Sequence, residues 1–147
     1  MDADLTRLIE IFEEHIPFTR LLGFKVDSIE DNTVRVHIPY TPDLIGDKRR
    51  NALHGGVLGS VADAAGGLAV MAQTGSKSKV STVDMRIDYL RPGQPQTMYC
   101  DAKIERLGQS VASVSMSVFH DPDTPVALGR AVYNISYRTD QPASDSQ

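Results

Sequence analysis

The sequence predicts an α+β fold: one long buried helix wrapped by an antiparallel sheet, with a short helix at the N-terminus. Three observations carry that prediction. The stretch from Asn51 to Met71, NALHGGVLGSVADAAGGLAVM, has Asp63 as its only charged side chain and is apolar nearly all round, as a helix inside a core must be. The four segments after it alternate apolar and polar residues at the period of a strand, and tight turns make the last three antiparallel neighbours. Gly56, Gly59, Gly66 and Gly67 each disfavour a helix by about 1 kcal/mol relative to alanine, so something must pack very close to it, a sheet or a ligand.

Leu5, Leu8, Ile9 and Phe12 recur at helical spacing with Glu10, Glu13 and Glu14 between them, a short amphipathic helix ending before Pro17. Pro17 to Gly23 reads as a compact apolar connector, either simple packing over the core or, through Phe18 and Leu22, a wall of a ligand pocket. Phe24 to Ile29 is a first strand, and Glu30-Asp31-Asn32 turns it. Val34, Val36, Ile38 and Tyr40 then alternate with Thr33, Arg35, His37 and Pro39, placing His37 on a solvated face. Thr41 to Arg50 is a loop, and the central helix runs from Gly55 to about Gln73.

Thr74 to Lys79 is a second, exposed loop. In the strand that follows, Val83, Met85, Ile87 and Tyr89 face one way and Thr82, Asp84, Arg86 and Asp88 the other, until Arg91-Pro92-Gly93 ends it. Strands at Thr97 to Leu107, Val111 to His120 and Val126 to Tyr137 complete the set, with turns at Gly108-Gln109 and Asp121-Pro122-Asp123. Exposed edges and one-sided strands invite pairing with a second copy.

At 147 residues the chain is expected to be one domain over 1–138, followed by a polar, disordered tail at 139–147. The net charge of −4 and the short basic clusters Lys48-Arg49-Arg50 and Lys77/Lys79 exclude a nucleic-acid partner but leave room for a small anionic ligand. Cys100, the single cysteine, is expected to be a buried, inert thiol. An acidic amphipathic N-terminus is no signal peptide, and Asp63 with the glycines argues against a membrane span, so a cytoplasmic, soluble protein is expected.

A helix beginning near Gly55 presents unpaired amides with partial positive charge, and glycine there would let a ligand oxygen approach. That is either an oxyanion hole or merely a tight entry turn. Asp63 lies eight residues further on, roughly 12 Å along the axis, too far for one reacting carbonyl to touch both. Two antiparallel helices across a two-fold axis would bring the amide end of one to the Asp63 of the other and create two equivalent sites. The alternative is a buried acid satisfied by a local hydrogen bond. Around His54 no metal-ligand spacing is visible, Ser60 sits in no nucleophile elbow, and Gly55 to Gly59 lacks the Lys-Ser/Thr of a phosphate loop.

LHGGVLGSVADAAGGLAV followed by STVDMRIDYLRPG resembles the hotdog-fold acyl-CoA thioesterases, in the branch of the phenylacetate-pathway and thioesterase-superfamily enzymes. HIPFTRLLG, LHGGVLGSVADAAGGL and VDMRIDYLRPG look especially like the YigI-type subgroup, associated with medium- and long-chain acyl-CoA. The resemblance spans roughly Pro17 to Tyr137 and implies a dimer, often doubled into a tetramer. It makes Asp63 the catalytic acid, as general base or nucleophile, and the Gly55 amide the oxyanion donor, with His54 shaping that corner; Gly56 is expected to contact the substrate. Thr82 falls where relatives carry a Ser or Thr that positions the water or the acid. Gly108-Gln109-Ser110 matches a turn along the CoA, and Arg91 a phosphate contact; Phe18, from the reading of the connector, is the expected acyl contact.

One departure stands out. Relatives with an Asn six residues before the motif His find Lys48 here, and Asn51 is the nearby candidate for that role. The expectation is therefore an acyl-CoA thioesterase, favouring medium or long aliphatic chains, with no metal or redox cofactor. The alternatives are a non-hydrolytic acyl-CoA or acyl-carrier binding protein and a hydratase or dehydratase of the same fold.

Overall fold

The computed structural model describes residues 2–75 and 77–138. The N-terminal helix α1 (Ala3–Glu10) is capped by Asp2, whose carboxylate accepts from the Asp4 amide at 3.1 Å. It continues through a π-helical turn, Ile11–His15, and after Ile16 a second helix follows, α2 (Pro17–Leu22). The connector expected there is thus helical. Proline suits a first helical position because it lacks only an amide that would be unpaired anyway, and Gly23, left-handed at φ 72, stops the turn. Leu8, Phe12 and Leu22 seat this unit on the core.

Strands β1 (Lys25–Glu30) and β2 (Thr33–Ile38) form a hairpin. Next come a 3₁₀ turn at Pro42–Leu44 and a small ladder of β3 (Ile45–Asp47) with β4 (Ala52–Leu53), so the expected Thr41–Arg50 loop is partly structured. Helix α3 (Gly55–Thr74) leads into β5 (Ser78–Tyr89), β6 (Met98–Leu107), β7 (Val111–Asp121) and β8 (Thr124–Tyr137). Lys79 belongs to β5 rather than to the loop, because Ser78 is already paired with Tyr137 and anchored by the Thr74 hydroxyl at 2.7 Å. The polar tail at 139–147 lies outside the described residues.

One six-stranded antiparallel sheet, in the order β1-β2-β6-β7-β8-β5, curls around α3. Its inner face is built from Val34, Val36 and Ile38, then Met98, Cys100 and Ala102, then Val114, Met116 and Val118, all buried. They close on Val61, Ala62, Ala65 and Leu68 of the helix, each with no exposed surface. Fully burying one such Val, Leu or Ile is worth ~1.5–3 kcal/mol. Helix α3 is long and apolar enough to cross a membrane; half of that apolar window is buried inside this fold. On the outer face, His37 is half-buried rather than simply solvated, with Nδ1 2.8 Å from an Asp27 oxygen.

A bulge in β5 changes the expected facing of that strand. Thr82 pairs with Tyr133 and Asp84 with Val132, so Val83 has no partner of its own in β8. The extra residue shifts the alternation by one. Val80 and Thr82 therefore share the helix side with Met85 and Ile87, whereas strict alternation had turned Thr82 away. Val83, expected on the same face as Met85 and Ile87, is instead 64% exposed.

Candidate active site

The expected HGG corner is built by three crossing segments. The His54 amide donates to Leu44 O at 2.8 Å and the Leu53 amide to Gly93 O at 2.9 Å, which fixes the chain where α3 begins. His54 is the helix N-cap: its Nδ1 accepts from the Gly56 amide at 2.9 Å, an arrangement open only to a ring unprotonated at that nitrogen. Gly56 is thereby occupied. Among the described residues the Gly55 amide has no hydrogen-bond partner and stays available at the positive end of α3. Tyr89 lies across this end, donating its hydroxyl to Gly55 O at 3.0 Å.

Asp63 is half-buried two turns further along α3. Thr82 donates to its Oδ1 at 2.7 Å, reaching it only because of the Val83 bulge. The Tyr133 hydroxyl lies 2.9 Å from Asp63 O and 3.3 Å from Oδ1. Burial pushes the Tyr133 phenol well above its ordinary value, and the Asp63 charge adds to the effect, so it is a fixed donor at neutral pH. Oδ2 of Asp63 has no partner among the described residues. Asp63 lines a groove of about 500 Å³ together with Phe12, Ile16, Phe18, Gly56, Ala64 and Met85 among others.

The structure thus unites Asp63 with Thr82 and puts Phe18 and Gly56 in the same groove. It keeps Gly55 and Asp63 at opposite ends of an unbroken helical stretch, as the arithmetic of ~1.5 Å per residue requires. Asn51, left-handed at φ 52, and Arg91 line a separate groove of about 430 Å³ together with Arg50. The Gly108–Ser110 turn lines neither groove; Gly108 donates to Val111 O and Ser110 O accepts from the Ile135 amide. Among the described residues no three His, Cys, Asp or Glu side chains cluster as a metal site would need. Sequence reasoning did not reach Tyr133 or Tyr89; the signal for Tyr133 was the Gly66-Gly67 pair, which had to admit something large.

Residues 51–127 match the family model of the thioesterase superfamily. The chain belongs to that superfamily. A thioesterase of this kind is a thioester hydrolase, and its helix wrapped by an antiparallel sheet is the hotdog fold. The chain is 28% identical over 139 residues to the medium/long-chain acyl-CoA thioesterase YigI of Escherichia coli K12, covering 86% of this chain and 90% of that protein. A crystal structure of a Shewanella oneidensis protein related to the thioesterase superfamily is 33% identical, with a TM-score of 0.79 over 90% of this chain and 95% of that one. The Escherichia coli PaaI protein of the phenylacetic acid degradation operon shares the fold, with a TM-score of 0.78 at 22% identity over 89% of this chain and 92% of that one.

Proposed function

We propose that this thioesterase hydrolyses acyl-CoA, with medium or long aliphatic chains preferred, in a dimer whose two sites are each shared between subunits. The observation that carries the reading is a carboxylate on an apolar helix that lines a groove, with one oxygen held by Thr82 and the other without a partner among the described residues. The groove wall of Phe12, Ile16, Phe18, Ala64 and Met85 is apolar, as an acyl chain requires. Arg50 and Arg91, in their own groove, supply the cations that CoA phosphates need on a chain of net charge −4. A cytoplasmic location accords with such a substrate.

The sheet supports dimerisation. Strand β5 is an edge of 12 residues with β8 on one side only. Val83, Tyr89 and Leu90, in β5 or just after it, are exposed, as are Phe18 and Leu21 of α2. Pairing β5 with its copy covers the edge and lays the two α3 helices antiparallel. The thioester carbonyl then sits between the Gly55 amide of one protomer and Asp63 of the other.

In the reaction, Asp63 Oδ2 takes a proton from water as the water oxygen bonds to the carbonyl carbon. The charge gathering on the carbonyl oxygen meets the Gly55 amide, whose dipole is already oriented. Collapse of the tetrahedral species breaks the carbon–sulfur bond, and the departing thiolate takes the proton from Asp63. The products are the free acid and CoA.

A thiol-release assay over short, medium, long and aryl acyl-CoAs tests this, with Asp63→Asn and Asp63→Ala alongside. Release is expected from the medium and long chains, and a fall of at least about 10²-fold in both variants. Hydrolysis unchanged in both variants, or an active monomer by light scattering, overturns the mechanism. Single turnover in ¹⁸O-water checks the role of Asp63: label entering the protein would mean the carboxylate attacks directly.

A further inference from the structure

We propose that Tyr133 is a positioning residue for the reaction: with Thr82 it holds Oδ1 of Asp63, so that Oδ2 alone is left to act on water. The inference rests on the thioesterase reading of the Asp63 site and deepens it.

Thr82 reaches Asp63 Oδ1 at 2.7 Å from β5, and the Tyr133 hydroxyl reaches it at 3.3 Å from the neighbouring strand β8. The two residues are directly paired across the sheet, so one rung of the ladder supplies both donors. Tyr133 donates more closely to the Asp63 backbone oxygen, at 2.9 Å. One hydroxyl thus bridges the main chain and the side chain of the same residue. A carboxylate held in this way cannot swing about its Cα–Cβ bond without giving up the contact.

The surroundings show how much the fold commits to that hydroxyl. Tyr133 is 1% exposed, and a polar group placed so deep costs stability unless it is satisfied. Asp63 is its hydrogen-bonding partner. Helix α3 makes room for the ring at Gly66, where an added Cβ would collide with the hydroxyl and come within 2.9 Å of Cζ. Inward positions of β8 before it, Ala127, Gly129 and Ala131, are small, so the phenol is the first long side chain in that inward row. A residue that only packed there would need the ring and the space at Gly66 but not the oxygen.

The test is steady-state thiol release from a medium-chain acyl-CoA by the full-length protein, comparing wild type with Tyr133→Phe, Thr82→Val and the double variant. Gly66→Ala is the second probe, since it displaces the hydroxyl without removing it. Circular dichroism and light scattering check that each variant keeps its fold and assembly. The expected result for Tyr133→Phe is a roughly tenfold loss in kcat with KM within about twofold, because what is lost orients the reacting group rather than binds substrate. Because both donors serve one oxygen, the double variant should lose less than the product of the single losses. Gly66→Ala should lower kcat in the same way. A folded Tyr133→Phe with wild-type kcat, losses that multiply independently, or a change in KM alone overturns the proposal. A wild-type protein that releases no thiol from any acyl-CoA overturns the thioesterase reading itself, and this proposal with it.

Discussion

Thr82 and Asp63 meet at 2.7 Å although strict alternation along β5 would turn their side chains apart. The residue responsible is Val83, an unpaired bulge that shifts the facing of the strand between Thr82 and Asp84. Bulges next to functional sites commonly re-aim a side chain in this way. Here the side chain is the one that holds the carboxylate.

Deleting Val83 should therefore spare the site. Thr82 and Asp84 then become neighbours opposite Tyr133 and Val132, which are neighbours already, so the ladder turns regular and Thr82 still faces the helix. Activity is expected to stay within about tenfold of wild type, with circular dichroism retained. Thr82→Ser, which keeps the donor, should stay within about threefold of wild type. A fall of about 10²-fold in a folded deletion variant would mean that the bulge does more than set the facing of Thr82.

Gly66 and Gly67 are adjacent on α3 but should respond oppositely to alanine. At Gly67 a Cβ would meet Tyr133 at 3.8 Å, ordinary contact, so Gly67→Ala gains up to ~1 kcal/mol of helix propensity. At Gly66 the Cβ strikes the Tyr133 hydroxyl, and overpacking of ~1–3 kcal/mol exceeds that gain. Thermal unfolding should rank Gly67→Ala above wild type and Gly66→Ala below it.

Stability should decline in alkali. Burial raises Cys100 far above its ordinary 9.0 and Tyr133 far above its ordinary 10.0. Above pH ~9 the unfolded chain has lost the thiol proton while the folded chain keeps it, so fewer protons are bound in the unfolded state and unfolding free energy falls as pH rises. Each group contributes up to ~1.4 kcal/mol per pH unit, the thiol from about pH 9 and the phenol from about pH 10. Urea midpoints between pH 7 and 11 measure the slope, and Cys100→Ala should make it shallower between pH 9 and 10.

The groove of Arg50 and Arg91 predicts a substrate-dependent defect. Arg91→Gln and Arg50→Gln should raise KM for acyl-CoA roughly five- to tenfold, with kcat little changed. The same variants should treat an acyl-pantetheine, which lacks the nucleotide phosphates, as wild type does. Added salt should raise the wild-type KM for acyl-CoA and not for the truncated thioester. Equal effects on both substrates would place the phosphates elsewhere.

Sequence alone determined the central helix, the last three antiparallel strands, a buried Cys100 and the HGG–Asp63 spacing. Each is written in local periodicity, or in a count of residues along one helix. The thioesterase resemblance was legible from motif residues in the chain, and it named both Asp63 and Thr82, which the structure brings into contact. The tertiary structure decided what depends on residues distant in sequence. It placed a helix at Pro17–Leu22, put the bulge at Val83, and set Tyr133 against Gly66 and Asp63. A bulge leaves the alternating pattern almost intact on either side, so periodicity passes over it. A hydroxyl 70 residues from its acceptor becomes its neighbour only when β8 packs on α3.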